Sequence, residues 1–481
     1  MDAWFWVFIA YVTGNFLLLV SMIFFERKTL TSIISWMTIL TVLPFFGFLL
    51  YIVFGSGLSI RVRRMLSKHK LYEVEYDRVI NEYLSTNDEI KDLHEDRGLV
   101  KCCYNYGSVL CPKNDIKFFI NGEDVINALI QDIEKAKKTI NIEYYIFADD
   151  STGKKVMNSL IKKAKEGVEV RLIYDSIGCL GAPRRFFRKL KKAGGHVAEF
   201  FPPFAYIRLL NLKMNYRNHK KIVVIDGKVA YTGGINIRDD HMGKKKRVSP
   251  WRDTHIRIEG TGVFPLQTAF LNDWRYVKKE KLPSAHYYKH GFYAKPSTSG
   301  NSYMQVLVSG PNDPIQYIKE TFIKLITNAK KEILIQTPYF IPDEAFLSAL
   351  RIAIASGVSV KIMIPHKPDK KTIYMVTLSY LKDIMELGAE VYLYEGFLHS
   401  KTIVVDDNKI SVGTCNLDNR SFGLNFEDTV IIYDKNLNEE YKRYFEDDLT
   451  KCFKADSEFF KKKKWLTKFL QAIFRLFSPI L

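Results

Sequence analysis

The chain has 481 residues, enough for two to four domains at ~100–200 residues each. With 47% hydrophobic and 14% aromatic residues it is neither an intrinsically disordered chain nor a small stapled scaffold. Lysine and arginine number 71 against 53 acids, a net +18, which favours a polyanionic partner: nucleic acid, an anionic membrane surface or a phosphate-bearing substrate. The six cysteines, Cys102, Cys103, Cys111, Cys179, Cys415 and Cys452, form no C-x-x-C pair and no regular framework, the pattern of free thiols in a reducing compartment.

In chain order, Ala3 to Phe25 is an uncharged run long enough to cross a ~30 Å hydrocarbon core as a helix. A second uncharged run covers Thr29 to Ser59, and only Glu26, Arg27 and Lys28 separate the two. Residues 1–59 are therefore expected to form a transmembrane helical hairpin. The absence of a basic n-region and of a small-residue cleavage site argues against a cleaved signal. Arg61, Arg63, Arg64, Lys68 and Lys70 follow the second run, so the positive-inside rule puts the remainder in the cytoplasm of a two-span cell-membrane protein. Residues 60–115 read as an adaptor between the membrane and the first half of the remaining chain, with Tyr76–Asp92 helical.

The rest repeats itself. Ala136-Lys137-Lys138 precedes an apolar run from Ile140, and Ala329-Lys330-Lys331 precedes another from Ile333; Gly167-Val168-Glu169-Val170 answers to Gly357-Val358-Ser359-Val360. Each half reads helix, strand, helix, strand, an α/β pattern of layers around a largely parallel sheet. The expected units are 116–277 and 303–456, joined by a Lys-, Tyr-, Ser-, Pro- and Gly-rich junction at 278–302. Residues 457–481 carry Lys461 to Lys464 and then Trp465, Leu466, Phe469, Leu470, Ile473, Phe474 and Phe477 at helical spacing, the pattern of a basic amphipathic helix in a membrane interface. An ordinary helix packed on the domain is the competing reading. Eleven of the excess positive charges flank these membrane elements, which leaves no long basic track for a polynucleotide, and nucleic acid is not expected as a partner. Nothing in the sequence specifies an oligomeric state.

Both halves end in one polar signature: His219-x-Lys221-x4-Asp226-x6-Gly233-x2-Asn236, and His399-x-Lys401-x4-Asp406-x6-Gly413-x2-Asn416. Duplication explains the copy but not why polar residues sit in apolar strands. His and Lys two apart on a strand point the same way. Two histidines and two lysines folded together can act on a phosphodiester: one imidazole attacks phosphorus, the other protonates the departing alkoxide, and Lys221, Lys401, Asn236 and Asn416 hold the phosphoryl oxygens. Each histidine then needs a carboxylate partner, for which Asp253 and Glu427 are candidates. No metal or cofactor is called for, because His-x-Lys offers one ligand beside a repelling cation.

This doubled signature resembles the HKD motif of the phospholipase D superfamily, over roughly residues 110 to 455. The flanks Trp251-Arg252-Asp253-Thr254-His255 and Asn416-Leu417-Asp418-x-Arg420-Ser421-Phe422 resemble those of bacterial cardiolipin synthases. The resemblance implies two tandem phospholipase D-like α/β/α domains with a shared active site. His219, Lys221, Asp226, His399, Lys401 and Asp406 would be its catalytic residues. It also implies phosphatidyl transfer between two phosphatidylglycerols, with His219 as nucleophile and His399 as acid, on an anionic membrane. The superfamily often has Ser after the motif glycine; here Gly234 and Thr414 stand there, and Thr414 is expected to donate to phosphate. The residues themselves leave open whether the acceptor is phosphatidylglycerol, phosphatidylethanolamine or another alcohol, and whether water competes.

Overall fold

Two copies of one strand and helix pattern meet edge to edge in a single sheet. The computed structural model describes residues 3–24, 30–43, 45–51, 55, 93, 95–202, 215–245, 249–279, 300–461, 465–476 and 478. The first half supplies β1 (Cys111–Phe119), β2 (Thr139–Tyr144), β3 (Glu169–Asp175), β4 (His196–Phe200), β5 (Arg217–Asn218), β6 (Lys221–Ile225), β7 (Val229–Gly233), β8 (Trp251–Arg252) and β9 (His255–Gly260). The second supplies β10 (Ser302–Ser309), β11 (Glu332–Gln336), β12 (Phe340–Ile341), β13 (Ser359–Pro365), β14 (Glu390–Tyr394) and β15 (Phe397–Leu398). It continues with β16 (Thr402–Val405), β17 (Lys409–Gly413), β18 (Leu417–Asp418), β19 (Asn425–Tyr433) and β20 (Cys452–Ala455).

The strand order is β20-β14-β13-β11-β16-β17-β19-β10-β1-β9-β7-β6-β2-β3-β4. Along this order the outer trios, β2-β3-β4 and β11-β13-β14, are parallel and the strands between them pair antiparallel. The expected largely parallel sheet is thus corrected to a mixed one. The reason is local: β6–β7 and β16–β17 are joined by tight turns, which permit only antiparallel pairing. The halves fuse through β1 and β10, with Cys111 opposite Met304 and Asn114 opposite Ser302. A domain boundary at 116 would cut β1 in two.

Helices cover both faces. Gly122–Lys135, Ser151–Lys165 and Arg184–Lys192 bury Leu129, Leu160 and Phe187 in a first-half cluster, and Tyr317–Thr327, Glu344–Ala355 and Lys371–Glu386 bury Phe322, Leu350 and Leu381 in its second-half counterpart. A third cluster runs through both halves, drawing Phe270 and Trp274 from Val263–Lys278 and Tyr441 and Phe445 from Lys435–Leu449. At ~1.5–3 kcal/mol for each large apolar side chain fully buried, this shared cluster ties the two halves into one folding unit.

Helix Arg97–Asn105 buries Leu99 and Cys103 in the second-half cluster, and Lys409 pairs with Asp96 at 3.0 Å. The described end of the expected adaptor therefore packs on the second half and not the first. Tyr76–Asp92, the basic residues Arg61 to Lys70, Lys462 to Lys464 and most of the 278–302 junction lie outside the described residues. At the N-terminus Ala3–Phe24 is a 22-residue helix whose stretch Trp4–Phe24, with mean hydropathy 2.1, is long and apolar enough to span a bilayer. The second apolar run is interrupted: a 13-residue helix, Leu30–Val42, and then Phe46–Leu50. Pro44 lies in the break, and proline disfavours helical backbone in the residue before it. Among the described residues one helix, not two, has spanning length. The C-terminal helix Trp465–Leu476 packs on Lys371–Glu386, with Arg475 paired to Asp383 at 2.7 Å, while Trp465, Phe469 and Leu476 stay exposed.

Candidate active site

Each motif histidine is positioned by the opposite half. The dipeptide β5, just before His219, pairs parallel with the start of β19, and its counterpart β15, just before His399, pairs parallel with β8. His219 N–H donates to Phe426 O (2.9 Å) and His399 N–H donates to Arg252 O (2.7 Å). The next residue along each partner is the acid. His219 Nδ1–H donates to Glu427 Oε2 (2.8 Å), and His399 Nδ1–H donates to Asp253 Oδ2 (2.7 Å). With Nδ1 committed, the lone pair of each imidazole is at Nε2. Both rings line one cleft of about 720 Å³, together with Asn236, Asn416, Tyr145 and Trp251.

The carboxylates are themselves fixed. Glu427 accepts from the Thr414 hydroxyl (2.6 Å) and the Asn425 amide (3.0 Å), and Asp253 accepts from Thr254 N–H (2.8 Å). Lys221 donates to the carbonyl of His219 at 2.6 Å, and Lys401 likewise to that of His399. Both lysines lie buried behind the histidines, each feeling Asp253 and Glu427. Asn236 accepts Ile146 N–H at 3.2 Å, while the buried Asn416 Oδ1 has no hydrogen-bond partner among the described residues.

Burial dominates the electrostatics. It pushes the His219 imidazolium down to about 4, against the pull of Glu427, and holds His399 well below its ordinary value, reinforced by Lys401. Both rings are neutral at pH 7. Burial also pushes Lys221 down to about 8 and Lys401 to about 7. For Asp253 and Glu427 burial acts upward, but the cations around them outweigh it and both stay ionised, Asp253 well below the usual carboxylate range.

Three expected site residues stand elsewhere. Asp226 sits at the far end of β6 from Lys221, ~17 Å of extended strand away. It accepts the backbone N–H groups of Lys137, Lys138 and Thr139 at 2.8, 2.7 and 2.8 Å. Asp406 does the same for Lys330, Lys331 and Glu332. Both adopt positive φ, 52° and 51°, a turn conformation that Asp tolerates better than most residues. They fix a turn against a strand entry and do not reach the cleft, which corrects their assignment as catalytic. Thr414 is fully buried and spends its hydroxyl on Glu427, so it steadies a carboxylate and does not wall the cleft. Gly234, its counterpart, leaves room for Asp253: a Cβ there would stand 1.9 Å from Asp253 Oδ1.

Sequence reasoning missed several lining residues. Tyr145 packs edge-on to His219 (4.7 Å between centroids), and Trp251 lies 5.2 Å from His399. His241 lies 4.0 Å from Trp251 and edge-on to His399 at 5.1 Å, with Nδ1 3.8 Å from Asp253 Oδ2. Ligand atoms of His241, Asp253 and His399 thus fall within 4.8 Å of one another, a trio in which Asp253 is already bonded to His399 beside two lysines. One signal for His241 was available: it follows the first motif by five residues, where the second copy has Ser421.

Paired His-x-Lys segments from two fused halves, converging on one cleft, define the phospholipase D class of fold. A model of the cardiolipin synthase PLD-like domain matches residues 129–247 and 322–449, and a phospholipase D-nuclease N-terminal model matches 14–56. The chain is 41% identical to the major cardiolipin synthase ClsA of Bacillus subtilis over 97% of both chains, and 40% identical to a cardiolipin synthase of Listeria innocua over 95% of both. The phosphatidylserine synthase of Haemophilus influenzae Rd KW20 shares the fold, with TM-score 0.61 and 16% identity over 80% of this chain and all of that one. The chain belongs to the bacterial cardiolipin synthases, phosphatidyltransferase enzymes of the phospholipase D superfamily. Its N-terminal match and apolar helix are those of a membrane-associated protein.

Proposed function

We propose that the cleft transfers a phosphatidyl group from one phosphatidylglycerol to another, giving cardiolipin and glycerol through a phosphatidyl-histidine at His219. The observation that carries this is the pair of imidazoles, each with Nδ1–H tied to a carboxylate of the other half and both lining one cleft. His219 Nε2 attacks phosphorus while the P–O bond to glycerol breaks and His399 Nε2–H gives its proton to the leaving oxygen. The hydroxyl of a second phosphatidylglycerol then attacks, the P–N bond breaks, and the hydroxyl proton passes to His399. Burial and Lys401 hold His399 neutral; an arriving phosphodiester monoanion counters Lys401 and so raises the proton affinity of His399. Lys221, Lys401, Asn236 and Asn416 stabilise the phosphoryl oxygens.

The unit boundaries follow the fold: residues 111–278 and 302–456 as paired halves, an N-terminal membrane segment, and a C-terminal helix in the interface. Two spans with the halves in the cytoplasm are supported by the charge distribution after Ser59 and by the packing of Leu30–Val42 on the first helix through Tyr11 Oη–H to Leu40 O (2.8 Å). Holding the cleft at a bilayer gives the acceptor lipid a high effective concentration relative to water. The test is reconstitution with labelled phosphatidylglycerol. Cardiolipin and glycerol should form in equal amounts, and His219→Ala and His399→Ala should each abolish both. Phosphatidic acid as the sole product would refute transfer.

A further inference from the structure

The duplicated motif treats the reacting phosphate symmetrically, but the cleft walls on either side of it are not alike. Arg217, two residues before His219, answers to Phe397, two before His399; Arg420, four after Asn416, answers to Asp240, four after Asn236. All four line the cleft. On one wall Phe397 packs on Trp251 (4.7 Å), and Asp240 neutralises Arg238 (3.1 Å) and Lys245 (2.5 Å). That wall is aromatic, and both of its cations are ion-paired to Asp240.

The other wall carries two guanidinium groups, and among the described residues neither makes an ion pair. Arg217 donates to Tyr216 O (2.8 Å), and Arg420 is held by Asn215 through its Oδ1 (2.9 Å) and carbonyl (2.5 Å). The nearby carboxylates are engaged: Asp175 accepts the N–H groups of Ile177, Gly178 and Asn218, and Asp418 caps Ser421 N–H at 2.6 Å. Arg217 lies close enough to Arg420 for the two to repel, and both act on Tyr145, the ring packed against His219. Like charges held together at a cleft wall, acted on by Asp175 and Asp418 but in direct ion pair with neither, form a site for an anion.

We propose that Arg217 and Arg420 form an acceptor subsite that grips the phosphodiester of the second lipid, so that its terminal glycerol hydroxyl is presented to the phosphatidyl group on His219. This rests on the transfer reading and adds which wall takes the acceptor. The chemistry fits: the acceptor keeps its own phosphodiester monoanion, three carbons from the attacking oxygen, whereas water and simple alcohols carry none. The arginines discriminate between acceptors and do not touch the bond-breaking phosphorus.

The experiment is acceptor partitioning by the full-length protein in mixed micelles of phosphatidylglycerol, with 1-butanol as a neutral competitor. The readout is the ratio of cardiolipin to phosphatidylbutanol, which reports what happens after the phosphatidyl-enzyme has formed. Arg217→Gln and Arg420→Gln should each lower that ratio by about 10–100-fold, the usual worth of a charge-assisted bond. Arg217→Lys and Arg420→Lys, which keep the charge, should hold it within about threefold of wild type. An unchanged ratio in both glutamine variants overturns the subsite. So does an equal fall in both products, which would place the arginines with the donor or the fold. Wild-type protein that makes no cardiolipin without butanol would instead overturn the transfer reading.

Discussion

Replacing Asp253 with Asn should disable the histidine of the second half although the substitution lies in the first. The carboxylate is fully buried and 2.7 Å from His399 Nδ1. An imidazolium and a carboxylate with charge centres ~4 Å apart interact by ~4 kcal/mol at an effective dielectric of ~20, equivalent to about three pKa units or a 10³-fold loss of the protonated acid's advantage. Asn preserves the shape and removes the charge, so kcat on phosphatidylglycerol should fall by about 10³. The fall should depend on the leaving group. A phosphatidyl p-nitrophenyl ester needs no proton on departure, and on that donor the loss in the first step should shrink to less than about tenfold. Glu427→Gln should slow both donors alike, because Glu427 supports the cationic phosphatidyl-imidazole that every donor must form. Burst release of p-nitrophenolate, compared with release of labelled glycerol, measures the difference. If Asp253→Asn is equally damaged on both donors while Glu427→Gln is rescued by the activated one, the roles of the two histidines are reversed.

Gly234→Ala should mimic the loss of Asp253, since the added methyl would stand 1.9 Å from Oδ1; melting within a few degrees of wild type with kcat down about 10²-fold or more is expected, and full activity would show that the carboxylate is free to move. Asp226→Asn should act on stability instead: weakening three charge-assisted backbone bonds costs ~1–3 kcal/mol, seen as a melting point lower by a few degrees with kcat within about threefold. The profile of kcat/KM against pH should be a bell. Its acid limb lies near the His219 value of about 4, where the nucleophile gains a proton, and on the alkaline side activity falls as His399 loses its acid proton and, near about 7 and 8, as Lys401 and Lys221 lose the charge that favours the phosphodiester. Lys401→Arg should move the alkaline limb upward; a flat profile between pH 6 and 9 would refute the assignment. Removing residues 465–481 should slow turnover on phosphatidylglycerol vesicles by about fivefold or more while sparing short-chain micellar substrate, given the exposed Trp465, Phe469 and Leu476. Equal loss on both, with a large drop in melting temperature, would make the helix part of the core.

Much of this architecture is legible in the chain. The apolar β-branched runs at Ile140, Val170, Ile333 and Val360 became β2, β3, β11 and β13, because strands walled by helices on both faces need continuous apolar sequence. The histidines and lysines were legible because polar residues inside such strands demand a reason. What the motif's spacing could not disclose is that it fuses two jobs. The histidines line the cleft with the lysines buried behind them, while Asp226 and Asp406, five residues beyond the lysines along a strand, serve its opposite end. Nor does periodicity reveal pairings between distant segments. Glu427 lies 208 residues from His219 and Asp253 146 from His399, and the bridges that join them are only two residues long on each side. The antiparallel seam between β1 and β10 was hidden for the same reason: β1 opens Cys-Pro-Lys-Asn-Asp, with too little alternation to mark a strand.

In the proposed reaction, the exchange of carboxylates also explains how a duplicated motif supports two different proton tasks. Because each half holds the acid that orients the other's histidine, neither half contains a complete site, and the shared cluster around Trp274 and Tyr441 fixes the geometry between them. The motif residues are the same in both copies, so any difference between the two imidazoles has to come from their surroundings. Glu427 is bonded by a hydroxyl and an amide besides His219, which leaves its charge well solvated by protein dipoles. Asp253 has a glycine where Glu427 has Thr414, and a third imidazole, His241, beside it. Asp253 also accepts from Thr254 N–H and the Trp251 indole N–H, and His399, Lys401 and His241 hold it ionised well below the usual carboxylate range, so a proton on His399 always meets a charged partner, the arrangement suited to a group that must take up and return a proton in each cycle. Glu427, tied to Thr414 and Asn425 and without a second imidazole beside it, suits a histidine whose positive charge arises from a bond to phosphorus.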